Sequence, residues 1–195
     1  YLEPRRLLGA MGADQHPRDR RAKYHPLPTR RAHRPRGLVV GHTRVHLCRN
    51  EQEAIDSAVS TLQRRGTPNP SSDQVVAATS FGLWVGLTSG GVPRDRLFDY
   101  ETTLWQPRLQ HAFPHRGDRR RKYIHACLDD IRVLRNRIAH HEPIYRSPLQ
   151  SIYDDILEIA AMVHPDARGF IESHSRAQEV IDQYKQALTT GEIRF

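Results

Sequence analysis

A stripe of apolar residues within residues 119–141 constrains the fold of this 195-residue chain more than any other feature. Its members recur every three or four residues, the spacing that places side chains on one face of an α-helix. They are Ile124, Cys127, Leu128, Ile131, Leu134 and Ile138. Asp118 precedes the stripe as a candidate helix cap, and Pro143 follows it and disfavours helical geometry at the residue before it. The pattern predicts one long helix from about Arg119 to about His141.

The same spacing recurs on both sides of this helix. Upstream, it predicts helices over about 51–65 and 72–87, with a short helical stretch over about 104–113. Downstream, it predicts helices over about 149–163 and 165–188, the last of which is a candidate for division in two. No segment shows the alternation of a β-strand. The predicted fold class is therefore all-α, a bundle of about five or six helices.

The positive charge of the chain lies entirely in its first quarter. Residues 1–48 carry 11 Lys and Arg against 3 Asp and Glu, which accounts for the whole net charge of +8, and residues 49–195 are neutral. Residues 1–48 are also rich in His and Pro, so we predict a disordered or weakly ordered arm followed by a helical domain over 49–195. Three interpretations of the arm stay open: a basic arm that touches phosphates, an extension without a role, and a stretch that is not native coding sequence.

The composition also bears on the compartment and on cofactors. Cys48 and Cys127 form neither a Cys-x-x-Cys pair nor a disulfide framework, which indicates a reducing environment. No apolar run reaches the roughly 20 residues of a membrane span, and the N-terminus has no secretion-signal pattern. We therefore expect a cytoplasmic protein without a membrane partner. The histidines lack the Cys or acidic neighbours of a zinc site, so we expect no metal and no cofactor.

Charged and imidazole side chains crowd the C-terminal end of the predicted long helix, between Arg135 and Glu142. Arg135 lies within about 50° of the centre of the apolar stripe, where a charge needs a partner. Arg135 and His140 point about 140° apart, with a rise of roughly 7.5 Å between them. One straight helix therefore cannot easily bring both side chains to the same phosphate. A cleft between two symmetry-related copies of the helix removes this difficulty.

Histidine and arginine without a carboxylate cluster can cleave RNA without a metal. Histidine exchanges protons near neutral pH, and arginine binds phosphate oxygens with its planar guanidinium. The 2′-hydroxyl of RNA attacks the neighbouring phosphate, and the arginine stabilises the charge that develops. This chemistry needs the 2′-hydroxyl, so the constellation favours RNA over DNA.

The segment Arg135-Asn136-Arg137-Ile138-Ala139-His140 resembles the Arg-Asn-x-x-x-His signature of HEPN-domain ribonucleases. With the following His141-Glu142-Pro143-Ile144 it is similar to the Abi-like (abortive infection) branch of that superfamily. Three upstream segments are also similar to that branch. They are Ser80-Phe81-Gly82-Leu83-Trp84, Thr103-Leu104-Trp105 and Phe113-Pro114. The resemblance covers about residues 50–190 and fails over 1–48, where the family has N-terminal helices.

The resemblance implies a HEPN-like bundle that forms a homodimer through the helix around 119–141. It implies metal-independent cleavage of RNA, in phage defence or as a toxin. By position, Arg135 and His140 correspond to the catalytic pair of the family. Asn136 corresponds to the polar residue that commonly accompanies them.

We expect further contacts with RNA around this trio. Arg137 and His141 lie four residues apart on one helical face, and a basic run opens the same helix. That run is Arg119, Arg120, Arg121 and Lys122. A solvated surface is the alternative for the run and for Arg137, and helix capping is the alternative for His140 and His141. Glu142 is expected to anchor the local backbone or pair with an arginine, and Tyr145 to pack.

Three alternatives to an active endoribonuclease stay open. The first is a non-catalytic RNA-binding or regulatory HEPN module that uses the same basic helix. The second is a toxin held inactive by an antitoxin protein of the nucleotidyltransferase type. The third is a degenerate relative that lacks the first helices of the family.

Overall fold

The computed structural model describes residues 38–40 and 43–191, which belong to one compact unit. Helices account for most of these residues, which confirms the all-α class. Within the described residues there are seven α-helices: α1 (Arg49–Arg64), α2 (Ser72–Ala78), α3 (Phe81–Leu87), α4 (Arg121–Ala139), α5 (Leu149–Val163), α6 (Pro165–His174) and α7 (Ala177–Thr190). A π-helical turn over Glu101–Trp105 and a 3-10 turn over Leu109–Ala112 lie between α3 and α4.

A short β-hairpin precedes α1, so the expectation of no strand is wrong at this place. Strand β1 (Leu38–Val40) pairs antiparallel with β2 (Thr43–Val45). Three-residue strands are too short to show an alternating pattern, which is why the sequence did not reveal them. Val45 and Leu47 are buried, so the packed region extends N-terminal to residue 49. Most of the predicted arm, residues 1–37, lies outside the described residues.

The helix predicted over 72–87 is two helices, separated at Thr79 and Ser80. The Thr79 hydroxyl donates to the Val76 carbonyl oxygen at 2.7 Å, and the backbone of Thr79 is extended. Thr and Ser side chains often compete in this way for backbone hydrogen bonds, and they end helices by doing so. The start of α2 follows prediction, because Ser71 and Gln74 form a reciprocal capping box.

Helices α4 and α5 pack antiparallel. Tyr123 near the start of α4 bonds Glu158 near the end of α5, and Ile124 packs in one cluster with Met162. Helix α4 is the predicted long helix, shorter by two residues at each end. Asp118 does not cap it, because the helix begins at Arg121 and its N-cap position is Arg120, whose side chain makes no capping bond.

Three apolar clusters hold the helices together. The first joins the hairpin, α1, α3 and the π-turn: Val45, Leu47, Leu83, Leu87, Tyr100 and Leu104. The second joins the π-turn to α4 and α5: Trp105, Phe113, Ile124 and Met162. The third joins α5 to α7: Tyr153, Leu157 and Ile181. No helix in the described part has the length and apolar character of a membrane span.

Candidate functional site

The predicted basic run at the N-terminal end of α4 is only partly accessible to solvent. Arg121 is only 7% exposed, its Nε donates to Glu101 Oε2 at 2.6 Å, and its Nη1 donates to the Thr88 carbonyl oxygen at 2.9 Å. A guanidinium buried in this way needs these acceptors, because an unpaired charge in the interior is costly. This side chain connects α4 to the π-turn and offers no accessible cation here, so binding of RNA by Arg121 stays a prediction without support from its surroundings.

The other members of the run are accessible to different degrees. Arg119 is exposed, but it forms an ion pair with Glu158 at 2.8 Å and lies over the Tyr123 ring, 4.8 Å from its centroid. Arg120 and Lys122 are exposed, and neither has a side-chain partner among the residues that the structure describes. Two of the four basic side chains are thus free to meet a phosphate at this end.

The Arg135 side chain is exposed, although the helical wheel places it near the apolar stripe. The stripe explains the difference, because only its first part is buried. Ile124 and Cys127 lie in the interior, whereas Ile138 is 53% exposed. Arg135 Nη1 donates to the side-chain oxygen of its neighbour Asn136 at 3.2 Å. The arginine is therefore solvated, with its guanidinium held beside the Asn136 amide.

His140 and His141 form the C-terminal cap of α4. The His141 N–H donates to the Ile138 carbonyl oxygen at 3.0 Å, and the Glu142 N–H donates to the Arg137 carbonyl oxygen at 2.8 Å. This pair of bonds is the Schellman motif, which requires a left-handed residue. His141 occupies that position with φ 56°. The two imidazoles are exposed, and neither has a hydrogen-bond partner within residues 45–191.

Arg137 holds the segment that follows the cap. Its Nη1 donates to the Ser147 hydroxyl at 3.3 Å, and its Nε lies 3.5 Å from Glu142 Oε2. The expected pairing of Glu142 with an arginine is confirmed. Arg137 is half-buried, and its Nε has no hydrogen bond. Because its guanidinium contacts Ser147 and Glu142, this side chain holds the loop at residues 142–147 and is less available to an external phosphate.

The predicted site is divided between the two ends of α4. The helix has 19 residues, so its first and last residues are about 27 Å apart. Arg120 and Lys122 therefore cannot contact the phosphate that Arg135 or His140 of the same chain contacts. The structure gathers Arg135, Asn136 and the two histidines at one end.

Tyr145 lies on an exposed turn that follows the two histidines, and its exposure was not predicted from the sequence. Tyr145 was expected to pack, yet it is 55% exposed, and Arg146 lies over its ring, 5.4 Å from the centroid. The hydroxyl of Tyr184 in α7 donates to the Tyr145 carbonyl oxygen at 2.6 Å. The adjacent Tyr-Arg pair, which follows two histidines and a Pro, was the available signal.

Buried titratable groups lie in the N-terminal half of α4, away from the histidine cap. Burial lowers the pKa of His125, and the nearby Arg121 and Arg132 act in the same direction against an opposing effect of Asp129. The Thr88 hydroxyl lies 2.7 Å from the Val85 carbonyl oxygen, to which it donates, and 3.0 Å from His125 Nδ1.

Cys127 on the same helix is also a poor candidate for chemistry. Burial, and then the neighbouring Asp155 carboxylate, raise the pKa of its thiol to about 12. A thiol that stays protonated at neutral pH is a weak nucleophile and a weak metal ligand. Among the residues that the structure describes, no three His, Cys, Asp or Glu side chains cluster in a way that can hold a metal ion.

Comparison with known proteins adds no further candidate. No family model, no curated protein and no solved structure matches the chain. The functional conclusion therefore depends on the residues of this chain and on their geometry.

Proposed function

We propose that this chain is a metal-independent endoribonuclease of the HEPN, Abi-like type. One observation carries the proposal. Arg135, Asn136 and His140 lie within six residues at the solvent-accessible end of α4, and the imidazole is free of hydrogen-bond partners in the described part of the chain. A guanidinium and an unengaged imidazole are the two groups that phosphodiester transfer in RNA requires from a protein.

Each side chain has a defined part in this proposal. The 2′-oxygen forms a bond to phosphorus, and the bond from phosphorus to the 5′-oxygen breaks. His140 takes the proton of the 2′-hydroxyl or supplies one to the departing 5′-oxygen, and water makes the other of these two proton transfers. Arg135 binds the non-bridging oxygens, and Asn136 orients it by accepting the hydrogen bond at 3.2 Å. The products are a 2′,3′-cyclic phosphate and a 5′-hydroxyl.

We propose further that the active form is a homodimer through α4. The exposed stripe residue Ile138 lies between Arg135 and His140, so a partner that covers it also approaches both side chains. In a two-fold arrangement, Arg135 of one copy and His140 of the other can face one phosphate, which a single straight helix hardly allows. In this form the RNA, an anionic strand, extends toward Arg120 and Lys122.

The biological setting belongs to the same proposal. A ribonuclease of this type acts in phage defence by abortive infection or as a toxin, and an antitoxin protein is then its expected partner. Without such a partner, expression of the active chain is expected to arrest growth, whereas the His140→Ala chain is expected to be tolerated.

The test is cleavage of an end-labelled, single-stranded RNA in excess EDTA, with His140→Ala run beside the unaltered chain. His111→Ala is the matched control, because His111 is also exposed and lies on the 3-10 turn. We expect cyclic-phosphate products from the unaltered chain and from His111→Ala. Loss of general acid–base catalysis lowers the rate about 10²- to 10⁴-fold in His140→Ala. A single 2′-deoxy substitution at the cleaved position is expected to block the reaction.

Two results would overturn this proposal. Undiminished cleavage by His140→Ala would remove the histidine from the chemistry. Binding of RNA without cleavage, by a chain that dimerises, would favour the non-catalytic RNA-binding or regulatory module instead.

A further inference from the structure

The segment after the histidine cap is a tight turn at residues 144–147. The Ser147 N–H donates to the Ile144 carbonyl oxygen at 2.8 Å, which closes a four-residue turn. Tyr145 and Arg146 are its two central residues. Both side chains are exposed, so the turn presents an aromatic ring and a guanidinium side by side at its tip.

Contacts from two helices fix this turn. Arg137 of α4 donates to the Ser147 hydroxyl at 3.3 Å, and Tyr184 of α7 donates to the Tyr145 carbonyl oxygen at 2.6 Å. These bonds hold the residues on both sides of Arg146, at the Tyr145 carbonyl and at the Ser147 hydroxyl, whereas Tyr145 itself stays 55% exposed. An aromatic residue that is about half in solvent contributes little to the core, and its exposed part is open to contact from outside the chain.

We propose that the Tyr145–Arg146 turn is a stacking platform for one unpaired base of an RNA strand bound at the histidine cap. This inference rests on the proposed function and adds the substrate class, which is single-stranded RNA. The turn begins three residues after His141, and Arg137 ties it back to α4. A base on Tyr145 therefore belongs to a nucleotide close to the cleaved phosphate.

The chemistry of the tip fits a base better than it fits a phosphate alone. A tyrosine face stacks on any base, and an adjacent guanidinium adds a cation–π contact and a charge for the backbone. Bases in a duplex are stacked on each other and unavailable, so the platform selects loops, bulges and single strands. Stacking of one base contributes about 1–3 kcal/mol by alanine substitution.

The test uses full-length chains with His140→Ala, so that binding is measured without cleavage. The probe is a short unstructured RNA with one 2-aminopurine, whose fluorescence falls when the base stacks on an aromatic ring. We expect Tyr145→Ala to weaken binding about 5- to 150-fold, which corresponds to the loss of one stacked base. We expect it also to restore the fluorescence, whereas Tyr145→Phe keeps both affinity and quenching.

Two controls separate stacking from a general effect. Phe170→Ala removes another exposed aromatic ring, on α6, and is expected to leave RNA affinity unchanged. Perfect duplex RNA is expected to bind equally to Tyr145→Ala and to its parent. Thermal unfolding of Tyr145→Ala is expected to match the parent, because the ring is largely in solvent.

The outcomes distinguish this inference from the function on which it rests. Equal affinity and equal quenching in Tyr145→Ala and its parent would overturn the platform, even if the unaltered chain cleaves RNA. Quenching that depends on Tyr145, in a chain that cleaves no RNA, would support the platform and overturn the catalytic proposal. Absence of any RNA binding would overturn both.

Discussion

Two arginines near the opposite ends of α4, Arg121 and Arg135, have opposite surroundings. At the N-terminal end, Arg121 is buried against Glu101, and Arg119 is paired with Glu158. At the C-terminal end, the Arg135 guanidinium bonds only its neighbour Asn136 among the described residues, and His140 is open to solvent. The difference comes from acidic residues on other helical segments, which reach only the first end. Density of charge along a sequence is therefore weak evidence of a binding surface until the partners from other elements are known.

The largest expected effect tests the buried end of this comparison. Arg121→Met leaves the Glu101 carboxylate and the Thr88 carbonyl without their donor, so we expect the free energy of unfolding to fall by about 2–3 kcal/mol. Removing one partner of a fully buried ion pair costs about 3–5 kcal/mol of stability. The cost is smaller here because the Glu101 side chain is 40% exposed. The measurement is the urea midpoint at constant slope. Arg135→Met is the matched control and should change stability by less than about 0.5 kcal/mol. Equal losses would show that the two ends do not differ.

A smaller effect on stability is expected at the exposed end of α4, where glycine substitutions of His140 and His141 can be compared. His141→Gly removes the strain of a left-handed backbone at this position, but glycine also raises the entropy of the unfolded chain. Because the first effect is larger, we expect the free energy of unfolding to rise by about 0.5–1 kcal/mol. His140 has φ −96°, where glycine relieves nothing. His140→Gly is therefore expected to lose about 0.5–1 kcal/mol. Thermal unfolding of the two variants measures both, and a loss in each would contradict the geometry of the cap.

The smallest expected effect is the pH dependence contributed by His125 at the buried end. Its pKa is lowered in the folded state from the ordinary 6.5, so the unfolded chain binds the proton more readily between the two values. Stability contributed by neutral His125 is thus complete above pH 6.5 and is lost as the pH falls through that window. His125→Gln is expected to flatten this part of the profile of unfolding free energy against pH. An unchanged slope would show that another group causes it.

Most helices were predictable because helix formation depends on the spacing of residues that are close in sequence. The apolar stripe located α4 to within two residues at each end, and the predicted start at residue 72 matches the first residue of α2, Ser72. The division at Thr79 and the hairpin at β1 and β2 were missed, since one depends on side-chain competition and the other on three-residue strands. Neither produces a periodic pattern.

The candidate site was predictable only in part, for a different reason. The sequence grouped Arg135, Asn136 and His140 at one helix end, where Arg135 and His140 are exposed, and their action on RNA stays a prediction. The burial of Arg121 depends on Glu101, twenty residues away in sequence, and the fixed turn at Tyr145 depends on Tyr184, thirty-nine residues away. Pairings over such separations arise from packing, which no local spacing reveals.

The π-helical turn gives the molecule a mechanical property. Its i to i+5 bond, from the Gln106 N–H to the Glu101 carbonyl oxygen, widens the turn. The consecutive residues Leu104 and Trp105 thereby enter two different apolar clusters. Deleting one residue here would restore an ordinary helical turn and withdraw one of the two side chains from its cluster. The π-turn thus links the hairpin side to the α4–α5 side through two adjacent residues, in addition to the bonds of Arg121, so we expect the two sides to unfold together.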